Sequence, residues 1–363
     1  LELCQPDDSA AGSYEAKNGN TTLSIGKIAD INTEKGETVT LTAQPNEGYK
    51  FYLWVDNNGK PLSTDETFVV NGLNVNPGSV KPVFVDANAT AYYQIPGNGH
   101  LSGKYYYWDD AMKAAGYSDS KNVVLLADLK LENALNRIDT VSGNTFTIPS
   151  GVTLVVPYSN KLSTKTDDKI NVNNEQMREE FGVSDANTGS AYRTLTVTEG
   201  YTLNVNGTLL VNALQGSNNG VESPYQSHIV GTYGKMVVGG TVTVNAGAKL
   251  YARGYVVDAN HRSDIHNGQI NVGSGGSLIQ MMQITDWRGG NYTTAVYQQL
   301  MPITMYYLQN NMVNTTYEFG STMRAQAVIA YQNIFNPDKP YEAEMAEVRI
   351  ITNATDAADS TPY

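Results

Sequence analysis

The residues best equipped for chemistry are few and scattered. The neighbouring aspartates Asp109-Asp110 and Asp167-Asp168 offer the carboxylates that glycosidic cleavage needs, one to protonate the leaving oxygen and one to act while ionised. Asp109 stands where a helix would begin, so an N-cap with Asp110 in the first turn accounts for the first pair. Asp167-Asp168 lies in a polar stretch that reads as a solvated loop. Asp258, His261, Asp264 and His266 have the donor types of a metal site, but their spacing is that of a turn cluster. Asp56-Asn57-Asn58-Gly59 opens like a calcium loop and lacks the distal glutamate, which leaves a hairpin turn. Cys4 sits in a polar leader, and no G-x-S-x-G accompanies any serine. Gly273-Ser274-Gly275-Gly276 is not followed by the Lys-Ser/Thr of a phosphate loop. His100 and the run Arg349-Ile350-Ile351 stand alone. No catalytic residue, cofactor or metal ligand is assigned on this reading. What remains is aromatic: Tyr225, Tyr233, Tyr251 and Tyr255 stand near long polar segments and are candidates for stacking on sugar rings.

Bulk properties narrow the partners. Lys+Arg total 24 against 36 Asp+Glu, a net charge of −12 with no basic run, which excludes nucleic acid as a partner. No stretch of about 18 apolar residues exists, so no membrane insertion is expected. The single cysteine permits no internal disulfide, which suits a bacterial surface better than a eukaryotic secretory route. The chain opens on Leu1 with no signal peptide or anchor motif, which reads as a fragment of a longer precursor.

The elements that must position any site are strands. Residues 1–20 read as a polar linker. From there VTLTA (39–43), GYKFYLWV (48–55), TFVVNGL (67–73) and VKPVFV (80–85) alternate with a period of two and are separated by turn residues. The run Gly36-Glu37-Thr38-Val39-Thr40-Leu41-Thr42-Ala43-Gln44-Pro45, followed by Gly48-Tyr49-Lys50-Phe51 and Trp54, resembles the divergent internalin-type B repeat. That resemblance covers about residues 22–86, within a small β domain of residues 21–90. It implies a small β-grasp-like module of the kind that serves as a spacer on Gram-positive surface proteins.

Four later stretches share one frame: TFTIPSGVTLVV (145–156), TLTVTEGYTLNV (194–205), TVTVNAGAKLYA (241–252) and QINVGSGGSLIQ (269–280). Each places a branched residue (Ile148, Val197, Val244, Val272) three before a glycine and a leucine (Leu154, Leu203, Leu250, Leu278) three after it. Such a frame fits a strand that turns a corner at glycine and resumes. Stacked corners pair like with like about every 4.8 Å and bury a continuous aliphatic column. The fold expected is all-β: a right-handed parallel β-solenoid over residues 100–290, after the small repeat domain and before a β-rich region at 291–353. An antiparallel sandwich is disfavoured because two-residue Asn-Gly turns between the runs are scarce.

Within this plan, WDDAMKAA (108–115) is a short helix ended by Gly116, lying across the open end of the coils. Residues 158–192, 212–235 and 257–268 are insertions, and 354–363 a tail. WDDAMKAA ahead of NVVLLADLKL, the glycine corners and Thr285-Asp286-Trp287-Arg288-Gly289-Gly290 resemble β-helical surface proteins of gut clostridia and their relatives over roughly 104–330. The resemblance implies an extracellular cell-surface adhesin or stalk whose partner is a surface glycan or a protein of a host or neighbouring cell. The alternative is a polysaccharide lyase or glycoside hydrolase of the β-helix type.

Overall fold

A computed structural model describes residues 1–29, 36–71, 78–138, 143–157, 193–211, 234–252, 255–259, 267–286, 298–300, 313–332 and 341–351. The chain forms two compact units, Leu1–Lys121 with Leu135–Thr140, and Asn122–Ala134 with Val141–Tyr363.

The first unit begins with β1 (Glu2–Leu3), β2 (Gly12–Asn18), β3 (Thr21–Thr22), β4 (Thr38–Pro45), β5 (Tyr49–Val55), β6 (Pro61–Ser63), β7 (Thr67–Asn71) and β8 (Ser79–Asp86). They make two four-stranded sheets, ordered β3-β2-β4-β7 and β1-β8-β5-β6. In β4 every second side chain is buried from Val39 to Ala43, as its alternating sequence requires. The inward residues of both sheets share one core: Leu3, Tyr14, Ala16, Val39, Leu41, Trp54, Phe68, Val70 and Val80 belong to it. Trp54 is wholly buried, and its indole N–H donates to the Asp65 carbonyl at 2.9 Å, so its one polar atom is satisfied. Residues 49–55, 67–71 and 80–85 are strands as expected.

Two expectations are corrected here. Residues 1–20 are not a linker, because β2 pairs with β4 from Gly12↔Pro45 to Lys17↔Thr40 and Leu3, Tyr14 and Ala16 lie in the core. The module is a two-sheet sandwich rather than a β-grasp, since its core lies between two sheets and no helix is present among the described residues of 21–90.

The unit continues with β9 (Tyr93–Ile95), β10 (Gly103–Tyr105) and α1 (Trp108–Tyr117). The helix expected to lie across the coils packs against β6, β9 and β10 of this unit. It starts at Trp108 with Tyr107 as N-cap, so Asp109 is not the cap. It runs through Gly116 and stops at Ser118, whose N–H meets the Ala114 and Ala115 carbonyls.

The second unit is built on repetition. It opens with β11 (Asn122–Leu125), β12 (Leu129–Lys130), β13 (Thr145–Ile148) and β14 (Thr153–Val156). Then follow β15 (Thr194–Val197), β16 (Thr202–Val205) and β17 (Thr208–Val211); β18 (Lys235–Val238), β19 (Thr241–Val244) and β20 (Lys249–Ala252); and β21 (Tyr255–Asp258), β22 (Gln269–Val272) and β23 (Ser277–Asp286). Three parallel sheets result: β12-β15-β18-β21, β13-β16-β19-β22 and β11-β14-β17-β20-β23. Each pass of the chain adds one strand to each sheet in the same order. The C-terminal elements are β24 (Gln298–Leu300), β25 (Asn314–Tyr317), β26 (Thr322–Gln332) and β27 (Tyr341–Ile351). β25 extends the second sheet. β26 runs parallel to β23 for that strand's whole length, and β27 is antiparallel to β26.

Register revises the glycine frame. Ile148, Val205, Val244 and Val272 stand opposite one another in a single buried file. Val197 is absent from it and pairs instead with Val238 in the neighbouring sheet. The stretch 194–205 therefore spans the preceding corner of the coil, and its counterpart at the later corner is 202–211. There Gly207 replaces the looped turn: a Cβ at this position would strike the carbonyl oxygens of Pro149 and Val152 on the coil before. Gly151 works differently, adopting φ +77° with open space around it.

Candidate functional site

The tyrosines expected to stack on sugars are not brought together among the described residues. Tyr225 and Tyr233 lie outside them, as do Asp167-Asp168, His261, Asp264 and His266. Tyr255 lies on β21. Tyr251 is only 9 % exposed and stands on the outer side of its sheet in one apolar cluster with Val124, Val155, Leu210 and Ile279. Asp258 is buried and accepts the Gly268 N–H at 2.9 Å. Asp56 accepts the N–H groups of Asn58 at 2.8 Å and Lys60 at 2.9 Å, which makes residues 56–59 the turn their sequence suggests. Among the described residues, no group of three or more His, Cys, Asp or Glu side chains converges on a point a metal would occupy.

The Asp109-Asp110 pair has a different job from the cap assigned to it. Asp109 accepts the backbone N–H groups of Arg137 at 2.9 Å and Ile138 at 3.1 Å. Asp110, wholly buried, takes a two-pronged contact from the Arg137 guanidinium at 2.9–3.1 Å. Arg137 also donates to the Gly59 carbonyl at 3.1 Å. Burial pushes the Asp110 carboxyl above its ordinary range, and the Arg137 and Tyr52 hydrogen bonds pull against that without cancelling it. On the arginine, burial opposes the charge, but the hydrogen bonds and attraction to Asp110 outweigh it. Both carboxylates fasten Arg137 and Ile138 to the helix. A cleft in the same unit includes Lys60, His100, Tyr117 and Asp119 in its lining. Its aromatic platform is engaged, with the Lys60 ammonium 4.0 Å from the Tyr117 ring centroid.

The second unit presents a more extensive surface. Along β13, β16, β19 and β22 the second and fourth residues of each strand point inward and are buried, and the first and third point outward. Register stacks the outward side chains in two columns. One runs Thr145, Thr202, Thr241, Gln269, Asn314, and the other Thr147, Asn204, Thr243, Asn271, Thr316. Every member is threonine, asparagine or glutamine. At one end the side chains bond to each other: Thr316 Oγ1 donates to Asn271 Oδ1 at 2.7 Å, and Gln269 Nε2 donates to the same oxygen at 3.0 Å. Beside the columns, Asn245 Nδ2 donates to Asn206 Oδ1 at 2.7 Å. The sheet containing β14, β17 and β20 differs, because there the outward Val155, Leu210 and Tyr251 are buried as well.

This polar face was not singled out from the sequence, although a signal for it exists. Laid in register, TFT (145–147), TLN (202–204), TVT (241–243), QIN (269–271) and NTT (314–316) repeat hydroxyl or amide at both outward positions. Register is what makes the repetition visible, and the glycine frame had put 194–205 in the wrong row.

Comparison with known proteins bears on the first unit alone. No curated protein and no solved structure matches the chain. Residues 15–88 match the family described as the divergent InlB B-repeat domain, which is typical of surface-associated proteins.

Proposed function

We propose that the chain is a surface-display and binding segment of a bacterial, Gram-positive cell-surface protein, acting outside the cell. In this reading the B-repeat sandwich is a spacer. The three parallel sheets are the walls of a right-handed β-solenoid that holds a ligand-binding surface clear of the cell, and the ligand is a glycan or a protein of a neighbouring cell. The observation that carries the reading is the succession itself: a matched B-repeat followed by sheets that each gain one strand per pass of the chain. A stack of this kind is stiff and extends along one axis, since each coil contacts only its neighbours. No helix among the described residues is long and apolar enough to cross a membrane.

The test has two arms. Antibody labelling of intact cells carrying the parent protein should reveal the segment at the surface. Incubation of the purified chain with a glycan array, alongside a reducing-sugar assay on matching polysaccharides, should give binding without cleavage. Turnover of any polymer would replace this reading with a polysaccharide lyase or hydrolase.

A further inference from the structure

We infer that the outward face of β13, β16, β19, β22 and β25 is the docking surface for a neutral, hydroxyl-rich polysaccharide lying across the strands. The inference rests on the binding role proposed above and names its surface and ligand class. Three observations carry it. First, the face is chemically pure. Its ten outward positions are all Thr, Asn or Gln, in a chain with 36 acidic and 24 basic residues. A polyanion would require Lys or Arg here, and an apolar partner would require an apolar patch. A surface with neither selects a partner that is itself uncharged and polar.

Second, each of these side chains offers both a donor and an acceptor. Those of Thr202, Asn204, Thr241 and Thr243 have no side-chain partner among the described residues, in contrast to Gln269, Asn271 and Thr316. The middle rungs thus keep hydrogen-bonding capacity for a ligand. Third, the array is regular and preorganised. Rungs repeat at about 4.8 Å, and the two columns stand about 6.8 Å apart along each strand. The positions are fixed by backbone pairing rather than by flexible loops, so little freedom is lost on binding. A polymer with hydroxyls along its length can engage several rungs together, so contacts that are weak singly add up.

The experiment is affinity electrophoresis of the purified chain in gels containing neutral polysaccharides (dextran, mannan, mixed-linkage β-glucan) or anionic ones (polygalacturonate, heparin). The variants are T241D/T243D, on the middle of the face, and K249E, which makes the same change in net charge from an exposed position on another sheet. Circular dichroism confirms that each is folded. The expected result is retardation by at least one neutral polymer, weakened at least tenfold in T241D/T243D and unchanged in K249E. Retardation by anionic polymers alone, or equal weakening in K249E, overturns the inference. So does a wild-type dimer that T241D/T243D dissociates in sedimentation, since the face would then belong to a second copy. Neutral-polymer binding that survives T241D/T243D overturns the face and leaves the binding role standing. Failure to bind any glycan or cell-surface protein overturns both.

Discussion

The two units solve the problem of staying folded in opposite ways. The first relies on individual residues: one tryptophan fills the sandwich, and one arginine secures two buried aspartates. The second relies on sameness, with Ile148, Val205, Val244 and Val272 doing one job four times. A structure of unique parts fails when one part is lost. A structure of repeated parts fails near the loss, because each coil interacts only with the next. The distinction also marks where function can be added: outward side chains such as Thr202, Asn204, Thr241 and Thr243 have no side-chain partner among the described residues, whereas Asp109, Asp110 and Arg137 in the first unit are spent on holding it together.

Four substitutions test that contrast, in descending order of effect. Arg137→Met should cost about 3–5 kcal/mol, because Asp110 stays buried with its charge uncompensated. Urea unfolding followed by tryptophan emission checks this, since Trp54 and Trp108 both lie in the first unit. A loss under about 1 kcal/mol would mean that the unit does not depend on this contact. Leu209→Ala should cost about 2–4 kcal/mol by opening a cavity in a fully buried column. Hydrogen exchange should then show protection lost in β14, β17 and β20 and retained in the first unit. Uniform loss across the chain would erase the contrast. Gly207→Ala should cost about 1–3 kcal/mol through collision with the coil before it, read as a lowered melting temperature. Gly151→Ala separates the two uses of glycine: its cost, about 1–2 kcal/mol, comes from backbone conformation alone.

How much of this was legible in the sequence depended on how local the determinant was. The strands of residues 38–86 could be read because alternation is local. Strand β2 was missed, since Gly12-Ser13-Tyr14-Glu15-Ala16 buries only small and aromatic residues and lacks the Val/Leu alternation of β4. Most coil strands were found, but β17, β18 and β21 were not, and neither was the assignment of strands to rows. The walls of β13 and β15 use the same alternating four-residue pattern, and the third wall keeps the same inward positions, so a stretch crossing one corner looks like a stretch crossing the next. Only pairing separates Val197 from Val205. The Asp109-Asp110 pair was read as a helix start because its partner, Arg137, lies far along the chain and nothing local announces it.

The long connections between successive coils have a bearing on how such a chain diversifies. Val156 ends β14 and Thr194 begins β15; Val211 ends β17 and Lys235 begins β18. Both departures leave from the same wall and return to the same next wall, whereas Ala252 reaches Tyr255 almost at once. That junction is flanked by strands that pair in the same four-residue register whether the connection is long or short. It is therefore a slot where sequence can be lengthened, shortened or exchanged while the rise per turn stays constant, and a lineage could remodel what it displays there without renegotiating the scaffold.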